Sequence, residues 1–247
     1  MTRQKTRAAK SFVVLSPLTV FLSSLKVSSG LSFSTVPKKM PVLYCKPSKD
    51  GLNVGDCPFT QFARMAMEVA GKDYELKPTK KDEKPAWLLE DHGGAMPCLF
   101  MDEGALADSG KIAEAALPPN AEDLKSKDAT SSLFGAIARF IKNTDDDKDP
   151  DLLKNLGAQL IKLEKRLEEV PYLSGDAIGL TDCSVSTKLY VLLVAGKHFK
   201  KFELSEPAFP LTTAYVAKLF DSDVFKKTMY PEEEMLHGWA EARAGAH

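Results

Sequence analysis

The chain is poor in cysteine: it has four among 247 residues, and none of them forms a C-x-x-C pair. That excludes a zinc ribbon and a dithiol redox motif. Four cysteines are also too sparse in a body of this size for disulfides to replace a core, so reduced thiols in a reducing compartment are expected. Acid is missing altogether from residues 1–39, which hold seven Lys or Arg and eight serines. The formal charge of −1, from 33 basic and 34 acidic residues, therefore hides an acidic body, with 26 against 34, about −8, from Met40 onward. No basic stripe is present, which argues against nucleic-acid binding. The apolar run at the front, Phe12 to Leu25, is 14 residues long and broken by Pro17, short of the roughly 20 that a spanning helix needs. No internal repeat is evident. What remains is ordinary for a soluble globular chain, 44% hydrophobic and 27% charged, and long enough for one large domain or two small ones.

The front end has the order of a cleavable signal: basic (Arg3, Lys5, Arg7, Lys10), then apolar, then the small-residue stretch Val27-Ser28-Ser29-Gly30. Its serine-rich, acid-free composition also fits a transit peptide, and the two readings can coexist. Phe33 resembles the aromatic at the signal-to-transit junction of plastid presequences in algae with complex plastids. Residues 1–39 are accordingly read as a presequence with a plastid address, the alternatives being mitochondrion, secretory pathway and cytosol.

From Met40 the pattern predicts β-α-β-α-β-β-α. Pro41 to Cys45 reads as a buried strand, and Cys57-Pro58 opens a helix whose apolar face is Phe59, Phe62, Ala66 and Val69, ended by Gly71. Asp73 to Leu76 is a second strand and Lys84 to Glu90 a short helix. Cys98 to Met101 and Ala105 to Ala107 are strands of a hairpin, and Ser109 to Leu117 is a helix. This is a thioredoxin-like α/β arrangement over 40–117. A linker is expected over 118–126, from Pro118-Pro119-Asn120, and an all-α part over 127–247. There Leu153, Leu156, Leu160, Leu163, Leu167 and Val170 recur at helical spacing. Asp182 to Ala195 and Phe209 to Phe220 read as further helices. The acidic run Asp145 to Asp149 lacks the Gly and terminal Glu of a calcium loop and reads as a solvated turn; no metal site is expected.

The sharp feature is Cys57. A cysteine at a helix cap faces unpaired backbone N–H groups and the positive end of the helix dipole, and both favour the nucleophilic thiolate. An inert buried thiol is the alternative. Thr60 stands where a dithiol enzyme carries its second cysteine, so a mixed disulfide on Cys57 must be resolved by an external thiol, with glutathione the obvious candidate.

Asp56-Cys57-Pro58-Phe59-Thr60-Gln61 resembles the active-site run D-C-P-F-S/T-Q of dehydroascorbate reductases, a class within the glutathione transferase superfamily. The resemblance extends from Met40 to Trp239 through Lys84-Pro85-Ala86-Trp87, Ala95-Met96-Pro97, Asp108-Ser109, Lys188-Leu189-Tyr190, Gly196 to Lys201, and Gly238-Trp239. It implies a glutathione transferase-like fold and a monomer that reduces dehydroascorbate to ascorbate. Glutathione would be a co-substrate, with no permanently bound cofactor. The resemblance places the Met96 backbone, before a cis proline, on the cysteinyl part of glutathione. Asp108 and Ser109 fall at its glutamyl carboxylate, and Lys84 at its other carboxylate. Lys46, Asp56, His198 and Trp239 are implied on the ascorbate side. Lys46 lies one residue closer to Cys57 than its family counterpart, and Lys49 is an alternative. Two rivals share the fold. One is an omega-type thioltransferase with a wider pocket. The other is a non-enzymatic relative of the chloride intracellular channel proteins, against which the charges Arg64, Glu68, Lys72, Asp73 and Glu75 argue by disfavouring membrane insertion. One departure concerns the interior helix: the superfamily starts it with a Ser/Thr cap, and here Gly179 stands in that place.

Overall fold

The computed structural model describes residues 39–245, which fall within one compact unit. The expected presequence lies, but for its last residue, outside them.

Strand β1 (Val42–Cys45) runs beside β2 (Glu75–Pro78) in parallel and β3 (Cys98–Met101) in antiparallel, and β4 (Gly104–Ala107) closes the order β2-β1-β3-β4. Because strand side chains alternate, Leu43 and Tyr44 serve opposite faces. Leu43 and Leu99 pack with Ala63, Met67 and Ile112, which come from α1 (Pro58–Val69) and α3 (Ser109–Ala116). Tyr44 and Cys98 pack with Leu88 of α2 (Ala86–His92). The 3-10 turn Lys81–Glu83 precedes α2, so the helix expected from Lys84 begins two residues later, after Pro85.

The connection to the helical part is shorter than expected. Within 118–126 only Pro118, Pro119 and Asn120 lie outside a helix, because α4 (Ala121–Thr130) starts at once on a reciprocal capping box between Asn120 and Asp123. There follow α5 (Leu133–Lys142), α6 (Asp149–Leu167) and α7 (Leu180–Val191), then a π-helical turn at Leu192–Gly196 and α8 (Lys197–Lys200). The chain ends with α9 (Pro210–Asp221), α10 (Asp223–Thr228) and α11 (Glu232–Arg243). On α6, Leu156, Leu160, Leu163 and Leu167 are buried as expected, but Leu153 is 45% exposed. Leu152 instead packs against the core, four residues before Leu156 and so on the same helical face.

The start of α7 shows how the chain manages without a cap hydroxyl. Asp182 accepts hydrogen bonds from the N–H groups of Leu173, Ser174 and Gly179 and from the Tyr215 hydroxyl. The Thr181 N–H, at the second helical position, donates to Asp123 Oδ1 at 2.9 Å, and Ser174 Oγ donates to the same oxygen. A Cβ on Gly179 would overlap the Ser174 side chain. The cap is thus supplied from α4, and glycine is the residue that leaves room for it. No helix among the described residues is long and apolar enough to cross a membrane.

Candidate active site

The site is built where β1 ends. The Lys46 carbonyl accepts from the Gly55 N–H at 2.8 Å, which folds the intervening loop back on itself. A Cβ on Gly55 would strike the Pro47 carbonyl, so this close approach requires glycine. The loop delivers Asp56 and Cys57 to the head of α1. Cys57 is the cap residue, with φ −83° and ψ 108°, and its side chain caps nothing. Pro58 occupies the first helical turn, where its missing N–H costs nothing. Thr60 is fully buried.

A cavity of about 250 Å³ opens on Cys57, lined also by Lys46, Asp56, Phe134, Lys142 and Trp239. Lys46 Nζ pairs with Asp56 Oδ1 at 2.7 Å. Lys49, its alternative, is exposed and bonds Glu234 through its backbone N–H. The Asp56 carboxylate fills the space that a Cβ on Gly238 would need, so α11 approaches the loop before α1 backbone-first. Lys142 Nζ lies 6.0 Å from the centre of the Trp239 ring.

Beyond Pro58 and the edge-to-face pair Phe59–Phe134 (5.4 Å, 81°) lies a second cavity of about 260 Å³, lined by Asp108, Ser109, Gly110, Thr187 and Lys188. Phe59, expected on the buried face of α1, is 45% exposed because it turns to this aromatic contact. Asp108 has φ +91° and caps α3, its Oδ1 accepting from the N–H groups of Gly110 and Lys111. Such a φ is strained for a residue other than glycine. The Met96–Pro97 peptide bond is cis. Lys84 Nζ donates to the Gly94 carbonyl at 2.7 Å, which tethers α2 to the turn before Met96.

The structure therefore gathers Lys46, Asp56, Cys57 and Trp239 around one cavity and Asp108 and Ser109 around its neighbour. It does not bring His198 there. His198 lines a different cavity with Tyr190, Lys197, Lys201 and Glu232, beside the π-helical turn. Sequence reasoning missed Phe134, Ala138 and Lys142, whose spacing of four places them on one face of α5. The other three cysteines are buried. Burial pushes Cys98 up to about 11 and Cys45 up to about 12, and raises Cys183 as well, so all three stay protonated near neutral pH.

Comparison with known proteins places this geometry. The family model described as glutathione S-transferase, N-terminal domain, matches residues 53–117. The probable cytosolic glutathione S-transferase DHAR1 of Oryza sativa subsp. japonica is 31% identical, over 76% of this chain and 90% of that one. The glutathione S-transferase DHAR2 of Arabidopsis thaliana is 30% identical, over 75% and 90%, and the chloroplastic DHAR3 of the same plant is 28% identical, over 75% and 74%. Among solved structures, the Chlamydomonas reinhardtii dehydroascorbate reductase superposes with a TM-score of 0.71 at 27% identity, covering 82% of this chain and 98% of that one.

Proposed function

This chain belongs to the dehydroascorbate reductase class of the glutathione transferase superfamily, and from that premise we propose that it reduces dehydroascorbate to ascorbate at the expense of glutathione, through Cys57 alone. The observation that carries the reading is the position of Cys57: at a helix cap, uncommitted to any hydrogen bond of the cap, and open to a cavity. The relatives carry the substrate class, since they bear the names of dehydroascorbate reductases and glutathione transferases.

The chemistry balances with one protein thiol. The Cys57 thiolate adds to a carbonyl carbon of dehydroascorbate. A glutathione thiolate then attacks Cys57 Sγ, forming the S–S bond as the carbon–sulfur bond breaks, and that electron pair leaves with ascorbate. A second glutathione attacks the glutathionyl sulfur, releasing oxidised glutathione and restoring the thiolate. Lys46 and Trp239 flank the carbonyl-binding side, and Lys84, Met96, Asp108 and Ser109 serve the glutathione side. The glutathionylated Cys57 is the substituted form of the enzyme, and the second glutathione enters only after ascorbate has left.

The same reading takes residues 40–117 as the glutathione-binding part and 127–247 as its helical partner, in a monomer. It sends the protein to a plastid through residues 1–39, an address supported by the chloroplastic name of the Arabidopsis relative DHAR3. The deciding experiment is a coupled assay of the full chain with dehydroascorbate and glutathione. Wild type turns over and Cys57→Ser does not; retained turnover in the variant would sink the assignment. Faster turnover on a neutral mixed disulfide than on dehydroascorbate would move the protein to the omega-type thioltransferases.

A further inference from the structure

The second cavity contains a charge that the cycle above leaves unused. Lys188, on α7, shares that cavity with Pro58 and Phe59 of α1 and with Ser109 of α3. It is mostly buried among Phe59, Phe62 and Phe134. Among the described residues its ammonium has neither a hydrogen-bond nor an ion-pair partner. Burial alone pushes its pKa down to about 8, with no carboxylate near enough to offset the loss of water. The one acid lining the cavity, Asp108, has its Oδ1 committed to the first N–H groups of α3.

A cation held out of water without a counter-charge is a standing cost to the fold. The cost is offset where a ligand brings the missing anion. Glutathione carries two carboxylates. Lys84, tied to the turn before Met96 and outside the cavity of Lys188, suits the glycyl one. The cavity of Lys188 adjoins that of Cys57 through Pro58, Phe59 and Phe134, and it is lined also by Ser109, whose hydroxyl has no hydrogen-bond partner among the described residues. We infer that Lys188 is the counter-ion for the α-carboxylate at the γ-glutamyl end of glutathione, an assignment that rests on the glutathione-dependent reading above.

The test is calorimetric titration of the full chain carrying Cys57→Ser, which blocks the mixed disulfide, with glutathione and with cysteinylglycine, which lacks the γ-glutamyl group. Lys188→Met and Lys188→Arg are compared in that background, and thermal unfolding of each is followed without ligand. Lys188→Met weakens glutathione about tenfold or more, leaves cysteinylglycine affinity where it was, and raises Tm by removing a desolvated charge. Lys188→Arg, which keeps the charge, retains most of the affinity. Equal glutathione affinity in Lys188→Met, or equal weakening of both thiols together with a lower Tm, would overturn the assignment, the second pattern being that of a merely structural residue. A parent protein that binds no glutathione removes both this inference and the reading beneath it. Absent dehydroascorbate turnover by wild type removes the activity alone, and the binding comparison decides Lys188 in either case.

Discussion

Cys57 and Gly238 show how single residues set the chemistry. The chain has four thiols, but three are buried and held protonated, which leaves Cys57 as the thiol open to a substrate. Gly238 acts from the other end of the chain. Its missing side chain is the space in which the Asp56 carboxylate sits, and that carboxylate holds Lys46 at 2.7 Å beside Cys57. Gly238→Ala must therefore push Asp56 out of place. We expect kcat/KM for dehydroascorbate to fall about 10- to 100-fold, the scale of an ångström-sized misplacement at an active site, while the far-ultraviolet circular dichroism stays that of wild type. Unchanged kcat/KM would show that the Lys46–Asp56 pair has no part in catalysis. Cys57 was legible from its place at a helix cap, and Asp56 and Lys46 from the resemblance of the run around it. Nothing in it joined Gly238 to Asp56, since that contact exists only once α11 is docked.

At the scale of elements, α7 is the instructive case. Its cap position carries glycine where the superfamily has a hydroxyl, and a loss of local stability is the natural expectation. The structure replaces the hydroxyl with Asp123 from α4, and Ser174 occupies the volume beside Gly179. Restoring the family residue should then do harm. Gly179→Ser is expected to destabilise the protein by about 1–3 kcal/mol through overpacking, and Gly179→Ser with Ser174→Gly to recover part of the loss, both read from urea unfolding. A more stable single variant would mean that the cap had been under-supplied after all. The capping helix itself was hidden in the sequence. Ala121–Thr130 is too polar to show an apolar stripe, so its first half reads as linker, although Asn120 and Asp123 have the spacing of a capping box. The first strand, the hairpin and α1 were legible because a short apolar run, a turn signal, Gly55 and Pro58 mark them directly.

The molecule as a whole joins a four-stranded sheet to a helical body, and the two proposed ligand cavities lie along their junction. Elements from both parts are needed: Lys46, Cys57 and Ser109 come from the first, Phe134, Lys188 and Trp239 from the second. This explains what sequence reading could not reach. Resemblance along the chain placed His198 near the ascorbate side, yet the turn of π-helix at Leu192–Gly196 precedes it and the residue faces another cavity. It also explains why α5 went unnoticed: its site face, Phe134, Ala138 and Lys142, acquires meaning only against Cys57. The central claim, that one protein sulfur carries the electrons between two small molecules, is tested most directly by mass. The full chain is mixed with dehydroascorbate and a single equivalent of glutathione, quenched in acid, and mapped by peptide mass spectrometry. One glutathionyl group is expected on Cys57, absent when dehydroascorbate is omitted and released by further glutathione. Turnover of dehydroascorbate with no glutathionyl group ever found on Cys57 would contradict the claim.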